Sequence, residues 1–158
     1  MFKSARLFAV VMIILVTCVA ISAQTMDKAK PTAPTAAVGY FDKTQVAKAL
    51  SSGTAIYDGK TFRVQMGKRT EAGQVEFHAK DTDVFYIVEG SATFVTGGTI
   101  LGGKSTGPDE IRGTSITGGE TRTLAAGDVI VIPDSVNHWF KEIQKPMVYF
   151  VVKEVTGK

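Results

Sequence analysis

The sequence has few of the side chains on which many catalytic and binding sites depend. Its 158 residues include one cysteine, Cys18, and two histidines, His78 and His138. A lone cysteine excludes an intramolecular disulfide and a metal site built from several thiolates. No predicted helix follows the Gly-rich part of the chain, so a phosphate-binding loop between a strand and a helix is not predicted. Any polar site must therefore depend on two imidazoles and on carboxylates.

Strong charge of either sign is also missing. The chain has 18 basic and 15 acidic residues, and the first 23 residues hold two of the basic ones and none of the acidic ones. The remainder thus carries a formal charge of +1, which gives no electrostatic basis for binding nucleic acid. The 44% of hydrophobic residues is enough for a packed core and excludes a largely disordered chain.

The N-terminal residues have the pattern of a secretory signal peptide. Lys3 and Arg6 precede an apolar run over residues 7–20, and Ala23 stands before a cleavage point at Gln24. The apolar run is shorter than the roughly 20 residues that span a bilayer. Residues 1–23 are therefore predicted to be a signal peptide of an exported protein, periplasmic or secreted. The alternatives are an uncleaved membrane anchor and a lipoprotein modified at Cys18.

The rest of the chain predicts one all-β domain preceded by a linker. Residues 24–38, rich in Pro, Ala and Thr, predict a flexible linker, and residues 39–158 predict the folded domain. Asp42 is placed to cap a short helix over residues 43–50, and Gly53 to end it. Short runs with strand-like alternation follow, at 54–57, 61–67, 74–79, 83–89, 91–96, 120–124, 128–132, 137–142 and 147–155. This pattern favours a sandwich or barrel, in which the Gly-rich residues 97–119 form a long functional or mobile loop.

The two histidines lie beside carboxylates at the ends of predicted strands. Strand alternation places Glu76 and His78 on one face, and a hairpin over residues 79–82 would fold Asp83 back opposite them. His138 follows another strand. These four side chains could bind a divalent ion through nitrogen and oxygen. Taken alone, a histidine in a β-protein is more often a hydrogen-bonded structural residue than a metal ligand.

Two segments resemble the motifs of the cupin superfamily. Residues 76–90 resemble the first motif, in which histidines, a carboxylate and a glycine follow one another at fixed spacing, with Asp83 and Gly90 at the last two positions. Residues 127–138 resemble the second motif, in which Gly127, Pro133 and His138 keep the expected spacing. The resemblance implies a single-domain jelly-roll β-barrel with one short N-terminal helix, and a metal ion held near the mouth of the barrel.

The resemblance also implies an altered set of metal ligands. Glu76 stands where the first histidine is usual, and Asp83 replaces the usual glutamate. The implied ligands are Glu76, His78, Asp83 and His138, a harder and more anionic set than three histidines and one carboxylate. The implied cofactor is one divalent ion, Mn, Fe, Zn or Ni. The alternative is a degenerate site without metal.

Two functions are compatible with this resemblance. The favoured one is a metal-dependent enzyme of isomerase, lyase or dioxygenase type that acts on a small polar molecule such as a sugar or an oxo-acid. In that case Glu76 is either a ligand or a general base, and Arg63 either contacts the substrate or is a surface residue. The other function is a non-catalytic ligand-binding or sensing module.

Alternation places Phe85 and Phe140 inside the barrel and Tyr86 and Trp139 outside, where a homodimer could form.

Overall fold

The computed structural model describes residues 37–155, of which residues 38–155 belong to one compact unit. The predicted signal peptide and nearly all of the predicted linker lie outside the described residues. Within residues 37–155, no helix is long and apolar enough to cross a membrane.

One helix and eleven strands make up the described chain. The helix α1 spans Lys43–Ser52. The strands are β1 Ala55–Asp58, β2 Phe62–Arg69, β3 Val75–His78, β4 Asp81–Thr96, β5 Thr99–Leu101, β6 Lys104–Gly107, β7 Glu110–Gly113, β8 Ser115–Thr117, β9 Glu120–Ala125, β10 Val129–Ile132 and β11 His138–Val155. The prediction of an all-β domain with one short helix is confirmed.

The helix begins at the predicted Lys43 and ends at Ser52, two residues beyond the predicted end and directly before the predicted stop Gly53. The Asp42 side chain accepts hydrogen bonds from the backbone N–H groups of Thr44 and Gln45, and the Gln45 side chain accepts one from the backbone N–H of Asp42. This reciprocal cap satisfies N–H groups that have no partner within the helix. Gly53 ends the helix in the left-handed conformation at φ 64°.

Two long bent strands, β4 and β11, hold the barrel together. The second part of β11 pairs with the first part of β4 and with β2, while its first part pairs with the second part of β4. β10 extends the sheet along the first part of β4, and β9 extends it along the second part. β3 joins the start of β11 to β7, and β7 pairs with β6. Each long strand thus belongs to both walls of the barrel.

The interior is packed with aromatic side chains of alternate residues on these two strands. Phe85 and Phe140 are buried, as the alternation predicts, and their rings pack edge to face with centroids 5.6 Å apart. Phe94 is fully buried against Phe140. Edge-to-face pairs of this kind add to the free energy gained by burying the rings. This core fills the barrel next to the two histidines.

Alternation places the neighbouring side chains on the outside. Tyr86 is 37% exposed, and Trp139 is half-buried with its indole N–H donating to the carbonyl of Gly73. Tyr86, Val88, Val129 and Val131 all lie more than one third exposed on the adjacent strands β4 and β10. We call these four residues the exposed apolar face.

Two local predictions were wrong. Residues 97–119 do not form one long loop, because they fold into strands β5 to β8 and β7 joins the main sheet through β3. Residues 79–82 do not form a hairpin either, since β3 and β4 are not paired among the described strands. The chain instead passes from β3 on one wall of the barrel to β4 on the other, so Asp83 reaches Glu76 and His78 across the interior.

The Gly-rich segment contains spacings that elsewhere accompany phosphate binding or a serine nucleophile. Residues 98–105 have the order Gly, four residues, Gly-Lys-Ser, and residues 103–107 have the order Gly-x-Ser-x-Gly. Both chemistries require a helix after the turn. Here Lys104 begins strand β6, and the Ser105 hydroxyl donates to the Gly107 carbonyl. The structural context therefore supports neither function.

Candidate metal centre

Three strands bring the four predicted ligand residues to one point in the barrel. β3 carries Glu76 and His78, β4 carries Asp83, and His138 is the first residue of β11. His138 is the register partner of Glu76. His78, Asp83 and His138 are each at most 4% exposed. Buried polar side chains of this kind require polar or metal partners.

Their donor atoms converge. Glu76 Oε2 lies 3.5 Å from His78 Nε2 and 3.8 Å from His138 Nε2. Asp83 Oδ2 lies 3.6 Å and 3.7 Å from the same two nitrogens. These separations exceed the about 3.2 Å of a good N–H···O hydrogen bond. They are close to the about 3.4 Å between neighbouring donors around an ion with bonds of about 2.1 Å.

The other ring nitrogen of each histidine is already hydrogen-bonded. His78 Nδ1 donates to Glu110 Oε1 at 2.6 Å, and His138 Nδ1 donates to the Val136 carbonyl at 3.1 Å. Both partners are oxygens that accept, so the Nδ1 atoms carry the protons in these contacts. In the neutral rings, Nε2 therefore holds the lone pair. Partners of this kind commonly orient the histidines of metal sites.

The two Nε2 atoms are buried and lack a hydrogen-bond partner within the described residues. A buried nitrogen without a partner is costly unless something binds it. The geometry of Glu76, His78 and His138 is that of a group able to hold a metal ion, and Asp83 lies beside it. The residues present therefore fit a divalent cation with nitrogen and oxygen ligands.

Each carboxylate turns one oxygen toward the histidines and the other toward a basic side chain. Glu76 Oε1 lies 2.8 Å from Arg112 Nη1 and 3.2 Å from Arg69 Nη2. Asp83 Oδ1 lies 2.6 Å from Lys153 Nζ. These ion pairs fix the direction of the remaining oxygens. They also show that the two acids have protein counter-ions of their own.

The surroundings shift the pKa values of these groups. Burial alone would raise the pKa of Glu76, but the close approach of His78 and the charge of Arg112 hold it well below its usual range. Burial also opposes charge on His78, yet Glu76 and Asp83 raise the pKa of that ring above its ordinary value. Burial lowers the pKa of His138. Glu76 is thus a stable anion, which suits a ligand better than a proton acceptor.

A cavity of about 290 Å³ is lined by three of the four residues, Glu76, His78 and Asp83. Its lining includes four basic and four acidic side chains: Arg63, Arg69, Arg112, Lys153, Glu76, Asp81, Asp83 and Glu110. A larger depression of about 740 Å³ lies near Gly90 and Pro146, away from both histidines. Because polar groups converge only on the smaller cavity, we assign the site there.

Arg63 lies on the inward face of β2 and lines the cavity. Its guanidinium is 3.0 Å from Asp58 Oδ2, and 38% of its side chain is exposed. It therefore occupies the exposed rim of the cavity.

The sequence analysis missed several residues that shape the site. Arg69 could have been found by extending the alternation of Arg63 along β2, whereas Lys153 is placed by its pairing with Arg63 across β2 and β11. Glu110 and Arg112 belong to the segment that was predicted to be a loop, so their contacts with His78 and Glu76 were not predicted. Glu110, His78 and Asp81 form a second group able to hold a metal. Since Glu110 binds His78 Nδ1 and Asp81 is paired with Lys153, we assign the ion to the first group.

Comparison with known families identifies this architecture. A family model described as Cupin matches residues 61–157. The chain is a cupin. The matched residues run from the start of β2 to beyond β11, so they include all four candidate ligands.

Solved structures agree with the cupin fold. A protein of Bacillus halodurans is 10% identical, with a TM-score of 0.51, and the match covers 75% of this cupin and 83% of that chain. A Klebsiella pneumoniae protein with a double-stranded β-helix domain is 14% identical, with a TM-score of 0.50, and the match covers 75% of this cupin and 91% of that chain. Identities this low show the fold alone. The comparison with curated proteins gave no match.

Proposed function

We propose that this cupin binds one divalent metal ion through Glu76, His78, Asp83 and His138, and acts on a small polar molecule in the adjoining cavity. The observation that carries the proposal is the pair of buried Nε2 atoms, which face two carboxylate oxygens and have no hydrogen-bond partner in the described chain. Mn, Fe, Zn and Ni all accept nitrogen and oxygen donors of this kind.

The bound ion would supply Lewis-acid chemistry of the isomerase or lyase type or, if it is iron, oxygen activation of the dioxygenase type. The chain's own residues hold the site in place. Arg69 and Arg112 bind the outer oxygen of Glu76, which favours a ligand role for Glu76 over that of a general base. The polar lining of the cavity suits a sugar or an oxo-acid.

A metal-free binding module is the second candidate, and Lys153 favours it. Its ammonium lies 2.6 Å from Asp83 Oδ1 and 3.4 Å from Asp81 Oδ2, so it supplies positive charge where a metal would. In that case the cavity would bind or sense a ligand without turnover.

Metal titration separates the two candidates. We expect the purified protein to hold close to one divalent ion per chain by elemental analysis. After removal of the metal, adding Mn(II), Zn(II) or Ni(II) should raise Tm by several degrees, because an ion that binds only the folded state stabilises it. A protein that is isolated without metal and gains no thermal stability from any of these ions would contradict the proposal and support the metal-free module.

We also propose that the protein is exported and acts in the periplasm or outside the cell. Support comes from the basic residues, apolar run and small residues of positions 1–23. Contact with a membrane would then be limited to this segment, either during export or as a retained anchor. The near-neutral folded domain supports no nucleic-acid partner.

A second copy of this chain is our proposed partner for the exposed apolar face. Tyr86, Val88, Val129 and Val131 carry no charge, and an uncharged apolar surface is complementary to itself across a twofold axis. Val129 is the register partner of Tyr86, so the face is continuous across two strands. Exposed apolar patches of this kind commonly mark interfaces.

We expect the protein to be a dimer in light scattering coupled to size exclusion, and Val131→Glu to convert it to a monomer. The buried charge would cost more than the contact returns. Leu101→Glu is the matched control, because Leu101 is similarly exposed but lies on β5, outside this face. A wild-type monomer, or a dimer unaffected by Val131→Glu, would exclude this interface.

A further inference from the structure

The charges that line the cavity are balanced only while it lacks a metal. Its lining has equal numbers of basic and acidic side chains. A divalent ion bound by Glu76 and Asp83 is neutralised by these two acids. Asp81 and Glu110 then remain against four basic side chains. Among the arginine, lysine and carboxylate side chains of the lining, the loaded cavity thus has an excess of two positive charges, one of which, on Arg63, faces Asp58 outside the lining.

Three of the four basic groups are held by the site itself. Arg69 and Arg112 bind Glu76, and Lys153 binds Asp83. Arg63 differs from them, because its ion pair is with Asp58, on the neighbouring strand β1. That pair is more than one third exposed on both sides, and exposed ion pairs contribute little to stability. Arg63 can therefore exchange Asp58 for a ligand at low cost.

The position of Arg63 also favours an anion. Arg63 and Lys153 are register partners on β2 and β11, and both line the cavity. Like charges directly opposite each other on one face of a sheet repel, and an anion near both would relieve the repulsion. The planar guanidinium can bind a carboxylate or phosphate group through two N–H donors.

From these charges we infer that the metal-loaded cavity takes a small anion with about two negative charges, and that Arg63 at the rim binds its carboxylate or phosphate group. This inference rests on the proposed function, because the excess charge arises only with the metal. It narrows the small polar molecule to an acidic one and gives Arg63 a role in ligand selection. The cavity of about 290 Å³ limits the ligand to a compact molecule.

Calorimetry with a matched pair of probes tests the inference. Succinate and its neutral diamide, succinamide, are titrated at low salt into the Mn(II)-loaded and the metal-free protein. We expect succinate to bind the loaded form about tenfold or more tightly than the metal-free form, and succinamide to show no such preference. Arg63→Gln should weaken succinate binding by a similar factor, and Arg63→Lys by less.

Arg122→Gln is the control for overall charge. Arg122 pairs with Glu120 on β9 and does not line this cavity, so its loss should leave succinate binding unchanged. Succinamide binding as tight as that of succinate, no succinate binding by the loaded protein, or no effect of Arg63→Gln would each overturn the inference. Elemental analysis of the same samples keeps the two proposals apart, because a protein without Mn(II) contradicts the proposed function itself.

Discussion

Replacement of His138 by alanine is expected to lower metal affinity by more than about 100-fold, since loss of a mere hydrogen-bond partner of a ligand already costs 10- to 100-fold. His138 supplies one of the two converging Nε2 atoms, and its ring is 2% exposed. No other histidine can replace it, because the chain has only His78 besides. Elemental analysis and a competitive titration with a chelating dye measure the loss.

The control must disturb the same part of the barrel without removing a donor. Phe140→Leu does so, because Phe140 lies two residues along β11 on the same inward face and is equally buried. We expect it to lower Tm while metal occupancy stays near one per chain. Glu76→Gln in the same titration separates a ligand from a general base, since only a ligand is needed for occupancy. Full occupancy in a folded His138→Ala variant would refute the assigned centre.

The largest effect on stability is expected at Gly90, where β4 passes from one wall of the barrel to the other. Gly90 has φ 85°, and a Cβ added there would clash with the Pro146 carbonyl and lie 2.7 Å from Met147 Cα. Both neighbours belong to the backbone of β11, so neither can turn aside. We expect Gly90→Ala to lower the free energy of unfolding by about 3 kcal/mol or more.

Gly97→Ala is the matched control for backbone conformation. Gly97 has a similar φ of 73°, but nothing lies within 4 Å of an added Cβ. It should cost only about 1 kcal/mol, the ordinary penalty of a left-handed residue. Urea unfolding of both variants gives the comparison. Equal losses would mean that the close approach of β11 to Gly90 does not matter.

Much of the barrel could be predicted because its local rules are strong. The cap at Asp42 and the stop at Gly53 predict where the helix lies. Strand alternation predicts that Phe85 is buried and that Tyr86 is exposed. The strand runs on either side of Gly90 are both found in the sequence. The sequence does not predict that these two runs form one continuous strand, because a glycine between two strand-like runs usually indicates a turn. In the structure, β11 pairs with β4 on both sides of Gly90 and so joins the two runs.

Motif spacing predicted the four candidate ligands of the site but not the path of the chain between them. Spacing singled out Glu76, His78, Asp83 and His138, and the structure brings all four together. The path that joins them was not predictable, since the turn after His78 could form a hairpin or cross the barrel with equal ease. The contact of Glu110 with His78 was not predicted for a related reason. Its role depends on pairing between β3 and β7, and short Gly-rich strands carry little local preference for such pairing.

The hairpin of β6 and β7 carries side chains that orient candidate ligands, but it carries none of the candidate ligands. The four converging side chains come from β3, β4 and β11, whereas Glu110, which binds His78, and Arg112, one of two arginines that bind Glu76, both come from β7. β7 joins the barrel only along β3, and its other neighbour is β6. Exchanging this one peripheral hairpin could therefore retune basicity and electrostatic field at the centre while every candidate ligand keeps its place.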